Sequence, residues 1–98
     1  MTYSVIVRPE AAAEVEEAFR WYEERSEGLG LEFLRAADAC VATVQRNPAA
    51  YPIVHQQTRR ALLRKFPYAI FYLIEGDTVV ILACFHIRRS PADWLRRT

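Results

Sequence analysis

Residues 59–94, RRALLRKFPYAIFYLIEGDTVVILACFHIRRSPADW, constrain the fold more than any other stretch of this chain. Three runs rich in β-branched and aromatic residues, 59–66, 68–74 and 78–87, are separated by Phe66-Pro67 and by Glu75-Gly76-Asp77, which are turn sequences. The spacing predicts an antiparallel meander. The second and third runs are apolar at both parities, with Ile70, Tyr72 and Ile74 alternating with Ala69, Phe71 and Leu73. Strands of that kind belong in the middle of a sheet with cover on each face. Helices can cover one face, and the other needs a loop, the C-terminal segment or another chain.

The rest of the chain supplies those helices. Tyr3 to Val7 reads as a short strand, and Pro9 then suits the first turn of a helix. From Glu10 to Ser26, Ala11, Val15, Phe19 and Tyr22 recur at helical spacing, while Glu14, Glu16, Glu17, Glu23 and Glu24 form an acidic outer face that is most simply solvated. Gly28 and Gly30 break this helix. A second follows with Leu29, Phe33, Ala37, Cys40, Val41 and Val44 on one stripe until Asn47-Pro48 stops it. The short break predicts an antiparallel helix pair. Residues 49–58 read as an irregular connection, and Ser90-Pro91-Ala92-Asp93 as the start of a short C-terminal helical segment carrying Trp94 and Leu95. The order is β-α-α-β-β-β, an α+β fold in which the first strand joins the meander and the helix hairpin lies across one face.

At 98 residues and 52% hydrophobic content, the whole chain, 1–98, fits a single domain, which at this size buries roughly 60–65% of the surface its unfolded chain exposes. No apolar run approaches the roughly 18–20 residues that span a bilayer. The first nine residues lack the basic start and long apolar stretch of a signal peptide, so the expectation is a cytoplasmic protein without a membrane partner. Cys40 and Cys84 fall in apolar patterns and read as small buried hydrophobes rather than a disulfide framework. His55 and His86 are far apart with no close Cys or His spacing, so neither a metal site nor another cofactor is expected.

Charge is distributed unevenly. Residues 50–98 carry eight Lys and Arg against three Asp and Glu, whereas residues 1–49 carry five against nine. The near-neutral total conceals a dipolar chain, and Arg59, Arg60, Arg64, Lys65, Arg88 and Arg89 gather around the ends of the meander. Such a surface concentrates anions, either phosphates or acidic protein segments.

The β-α-α-β-β-β order, the opening strand that runs through Arg8-Pro9-Glu10-Ala11 into an acidic helix, the basic strand leading into Phe66-Pro67-Tyr68, and the apolar last strand ending in His86-Ile87-Arg88-Arg89 resemble the RelE/ParE superfamily of toxins from type II toxin–antitoxin systems. The resemblance covers nearly the whole chain and is closer to the ParE-like branch. It implies a plasmid-stabilisation type of growth inhibitor that poisons DNA gyrase by binding and is neutralised by a cognate antitoxin, ParD-like or similar. The RelE-like branch implies instead an endoribonuclease acting on messenger RNA at the ribosome. A third reading is an inactive module kept for its antitoxin complex. Direct DNA binding by this chain alone is not expected, because it carries no helix-turn-helix pattern.

Whether the chain is an enzyme turns on a few residues. RNA cleavage through the 2′-hydroxyl needs an acid, a base and cations around the phosphate. His86 is the candidate acid or base, with Arg60, Lys65 and Arg88 as phosphate ligands. His86 and Arg88 share a parity and face one side if the strand continues. The tyrosine or equivalent group that the ribonuclease branch places after the last strand is missing, since the last tyrosine is Tyr72, which favours a non-enzymatic toxin. For target or antitoxin binding the candidates are Arg59, Arg60, Arg64, Lys65, Tyr68, Tyr72, Arg88, Arg89 and Trp94. Trp94 either closes the second face of the sheet or belongs to a target-binding tail. Trp21 is expected between the helices or at a dimer contact, and His55 on the surface.

Overall fold

A computed structural model describes residues 2–89, and the expected C-terminal helical segment with Trp94 lies outside them. Strand β1 (Ser4–Val7) leads through Arg8 into helix α1 (Pro9–Arg25), with Pro9 at the first turn, where its missing N–H costs no intrahelical bond. Helix α2 (Leu29–Arg46) follows after three residues and returns antiparallel to α1. A 3-10 turn at Pro48–Ala50 and strands β2 (Ile53–His55), β3 (Thr58–Leu62), β4 (Tyr68–Glu75) and β5 (Thr78–His86) complete the described chain.

The hairpin of helices depends on residues that bring the chain close to itself. Gly28 precedes α2 with φ of +88°, a left-handed conformation that glycine adopts without a Cβ penalty. A Cβ at Gly30 would sit 2.7 Å from the Phe19 ring, so the absence of a side chain there sets how closely the helices approach. The start of α2 has no capping side chain of its own. Glu23 of α1 serves instead: its two carboxylate oxygens accept the Gly28 and Gly30 N–H groups at 3.0 and 2.9 Å, satisfying orphan donors and placing negative charge at the positive end of the helix dipole.

The sheet has the order β1-β5-β4-β3-β2. All neighbours are antiparallel except β1 and β5, which run parallel with Ser4 opposite Thr78 and Val7 opposite Ile81. The first strand thus joins the sheet, as expected, and does so beside the last. The stretch read as an irregular connection holds β2, a three-residue edge strand too short to show a period. The third strand ends at Leu62 rather than Phe66. Phe66 turns inward under the helices, where its ring lies 4.9 Å from that of Tyr22 and 5.4 Å from that of Phe33, and the intervening residues bend to let it do so.

Both faces of the central strands are buried. Against the helices lie Ile70, Tyr72, Val79, Ile81 and Cys84, packed on Ala11, Ala18, Phe33, Ala37, Cys40 and Val44. The predicted α2 stripe supplies four of those six helix residues. On the other face Ala69, Phe71, Ala83 and Phe85 form a second cluster, and the Arg89 guanidinium lies 4.3 Å above the Phe85 ring. A bulge makes the two faces compatible: Phe71 pairs with Ala83 but Tyr72 with Ile81, leaving Leu82 as the extra residue of β5. Cys40 and Cys84 are both buried free thiols. No helix among the described residues is long and apolar enough to cross a membrane.

Candidate functional site

The sheet brings two basic turns together at one end. Tyr68, the first residue of β4, pairs with His86, the last of β5, and the Ile87 N–H donates to the Pro67 carbonyl at 2.9 Å. The turn carrying Arg64 and Lys65 therefore lies beside the turn carrying Arg88 and Arg89. All four side chains are exposed. Lys65 holds φ of +70°, a left-handed conformation uncommon outside glycine, which reverses the chain just ahead of Phe66.

Around the same end an open groove of about 680 Å³ runs between α1 and the sheet. Trp21, Tyr22, Tyr68 and His86 supply its rings, and Glu14, Glu17 and Glu24 its carboxylates. The Tyr68 and His86 rings meet edge to face with centroids 5.4 Å apart. His86 Nδ1 accepts the Arg88 backbone N–H at 3.1 Å, so the neutral ring carries its proton on Nε2. The Tyr68 hydroxyl pKa is raised, first by burial and then by Tyr22, Cys84 and Glu17, with Arg89 opposing. Beyond the end of β1, Glu14 closes the open edge of β5, accepting the Cys84 N–H at 3.0 Å.

The remaining candidates are elsewhere. Arg59 is half-buried opposite Tyr72, and its guanidinium donates to the carbonyls of Ala49 and Tyr51, which fastens the loop after α2. Tyr72 is fully buried, and its hydroxyl donates to the Pro48 carbonyl at 2.6 Å. Burial foremost, helped by Tyr51 and Cys40 against Arg59, pushes its pKa up to about 12. Tyr72 is therefore not a surface contact and the cluster read from the sequence loses it, while the half-buried Arg59 is engaged in holding the loop. Arg60 is exposed opposite Phe71, on the sheet face away from the helices, three residues along β4 from Tyr68. His86 and Arg88 do not share a strand face, because β5 ends at His86 and the chain turns. Arg89 is drawn toward Phe85 and toward Glu14, 4.0 Å away. Trp94 lies outside the described residues.

Trp21 is not between the helices. It stays 47% exposed at the groove, with the Arg25 guanidinium 3.4 Å from its ring centroid. Sequence reasoning assigned the acidic face of α1 to solvent and so missed the groove wall. Its signal was present: Glu14, Glu17, Trp21 and Glu24 recur at steps of three and four, which places them on one helix face. His55 is part of β2 and half-buried rather than a loop residue. Among the described residues no group of three His, Cys, Asp or Glu could hold a metal ion.

Comparison with known proteins agrees with this architecture. The family model for the ParE toxin of the type II toxin–antitoxin system, parDE, matches residues 5–91. Among curated proteins the chain has no match. A solved structure of the chromosomal ParDE toxin–antitoxin system from P. aeruginosa is similar over 87% of this chain and 96% of its own, at 19% identity and a TM-score of 0.75. The toxin–antitoxin complex RelBE2 from Mycobacterium tuberculosis is similar over 88% of this chain and 99% of its own, at 20% identity and a TM-score of 0.62.

Proposed function

The chain belongs to the ParE toxin family of type II toxin–antitoxin systems, and on that premise we propose that it arrests growth by binding DNA gyrase in the cytoplasm and is released from this role only while a cognate antitoxin covers it. In such a module it would act in plasmid stabilisation. What supports the binding reading over a catalytic one is that the sheet end gathers exposed cations, Lys65 and Arg88 beside His86, without Arg60 and without a tyrosine or histidine after β5 in the sequence. Arg60 faces away from the helices, on the opposite side of the sheet from the groove, and no tyrosine or histidine follows His86 in the sequence. A general acid–base mechanism needs two such groups within hydrogen-bond reach of one phosphodiester. A binding toxin needs only an exposed, charged surface, and the paired turns with Arg64, Lys65 and Arg88 offer one.

One observation favours the ribonuclease reading. Tyr68 lies beside His86, and both open onto the groove next to the basic turns, so Tyr68 could stand in for the acid–base group that the sequence lacks after β5. The two readings separate on expression of the chain without antitoxin in a sensitive bacterium, with DNA and protein synthesis pulse-labelled in parallel. The gyrase reading predicts that DNA synthesis falls first. An earlier fall in protein synthesis, abolished by His86→Ala, would assign the chain to the ribonuclease branch; normal growth would leave an inactive antitoxin-binding module.

A further inference from the structure

The two turns at the open end of the sheet hold cations that the rest of the fold leaves unneutralised. Among the described residues no carboxylate pairs with Arg64, Lys65 or Arg88, whereas Arg89 is drawn toward Glu14, 4.0 Å away. The acidic residues of the same half of the chain stand elsewhere. Glu75 and Asp77 flank the β4–β5 turn at the far end of the sheet, seven residues and roughly 23 Å along β4 from Tyr68, and Asp93 lies outside the described residues. The net charge of the whole chain is only +1, so an anion is attracted here by the local arrangement rather than by the molecule as a whole.

Backbone geometry singles out the same place. Lys65 holds φ of +70°, a region that costs an L residue energy and that glycine would occupy freely. A long cationic side chain is nevertheless displayed there, and local strain of this kind gathers at sites that engage a ligand. The ladder fixes the display. Tyr68 pairs with His86, and the Ile87 N–H donates to the Pro67 carbonyl at 2.9 Å, so the turn with Arg64 and Lys65 leaves the sheet one strand spacing, about 4.8 Å, from the turn with Arg88.

We propose that these paired turns grip the phosphodiester backbone of duplex DNA, with Arg64, Lys65 and Arg88 each meeting a phosphate and none reading a base. A duplex carries one negative charge per about 1.7 Å of axis, dense enough for three cations on so narrow a patch to be met at once. The lack of a helix-turn-helix pattern removes base recognition and leaves backbone contact, which needs cations alone. A single strand fits less well, because its recognition rests on bases stacked on open rings. The rings nearest the turns are engaged: Tyr68 against Tyr22, Phe33 and His86, and Trp21 under the Arg25 guanidinium. An acidic protein segment is held less firmly, since exposed ion pairs contribute little singly, whereas a phosphate backbone gains further from the counterions it releases.

The test is fluorescence anisotropy of the purified chain with a labelled DNA duplex of arbitrary sequence, in salt from about 50 to about 200 mM. Three phosphate contacts predict a slope of log K against log salt of about −2.7, or roughly 40-fold weaker binding at the higher concentration. Arg64→Gln/Arg88→Gln should flatten the slope to about −0.9 and weaken binding roughly tenfold at the lower salt. Arg35→Gln/Arg46→Gln, which removes the same charge from α2, should leave both nearly unchanged. All four positions are exposed, and circular dichroism verifies the fold of each variant. No saturable binding, a slope near zero, or equal losses in the two variants would overturn the proposal, as would tighter binding of labelled single-stranded RNA or of polyglutamate than of the duplex. The assay contains no gyrase, so a failure of the gyrase reading would leave this result unaffected.

Discussion

Tyr68 and Tyr72 stand four residues apart on one strand and one face of the sheet, roughly 13 Å from each other, and they meet opposite fates. Around Tyr72 the molecule is sewn shut: its hydroxyl binds the Pro48 carbonyl, Arg59 ties down Ala49 and Tyr51, and α2 covers the ring. Around Tyr68 the ring packs on Tyr22 and Phe33 of the helices but also borders a groove, and two basic turns flank it. The same residue type at the same parity is fully buried at one end and half-buried at the rim of a groove at the other. What decides is the neighbouring chain: the loop after α2 folds over the Tyr72 end, whereas at the Tyr68 end the covering residue is Phe66, which fills the space under α1 and α2 and leaves the rim open.

Substitutions can break this contrast. Tyr72→Ala should destabilise the domain by about 3–5 kcal/mol, the usual cost of removing a buried aromatic ring, a large share of the roughly 5–15 kcal/mol that holds a domain folded. Chemical denaturation would register it as a lower midpoint. The hydroxyls alone sharpen the comparison. Tyr72→Phe leaves the buried Pro48 carbonyl without its donor and should cost about 1–3 kcal/mol, while Tyr68→Phe, with no hydroxyl bond among the described residues, should change stability by less than about 0.5 kcal/mol. Equal effects of the two would mean that the ends are not different in kind.

Alkaline pH probes the closed side as a whole. Burial foremost pushes the thiol of Cys40 up to about 11 and that of Cys84 up to about 12, and Tyr72 follows. The unfolded chain ionises these groups earlier, thiols from roughly pH 8.5 and tyrosine from roughly pH 10, so over that window the folded state holds more protons than the unfolded one. Stability should accordingly fall as pH rises from about 8.5 toward 12. Denaturant midpoints across this range measure the slope; a flat profile would contradict the burial of these groups. In the folded protein at pH 8 both thiols should resist a thiol reagent and react only on unfolding. The smallest effect on stability belongs to the open end. Arg64→Glu with Arg88→Glu should shift stability by no more than about 0.5 kcal/mol, yet relieve growth arrest if this rim engages the target.

The two helices were legible because each repeats its period over many residues, and the last two strands because long apolar runs are bounded by turn sequences; the α2 stripe through Phe33, Ala37, Cys40 and Val44 coincides with its buried face. Strand β2 was not, since three residues between Pro52 and a pair of glutamines carry no period. The limits of the candidate site have a similar cause. Arg59 and Arg60 are adjacent in sequence, and adjacent residues of a strand point to opposite faces, so a cluster in the sequence is divided in space. Arg64 and Arg88, far apart in sequence, come together only because Tyr68 pairs with His86. Trp21 shows the converse: its helical spacing places it with Glu17 and Glu24, but only the fold sets that face against Pro67, Tyr68 and His86 to make a groove.

We propose that the open end works by binding a topoisomerase rather than by cutting RNA. Supercoiling by purified DNA gyrase, measured with the purified chain and with the Arg64→Glu/Arg88→Glu variant, tests it most directly. Inhibition by the wild-type chain and its loss in the folded variant are the expected results. Undiminished supercoiling in the presence of a wild-type chain that arrests growth, or inhibition untouched by the charge reversal, would contradict it.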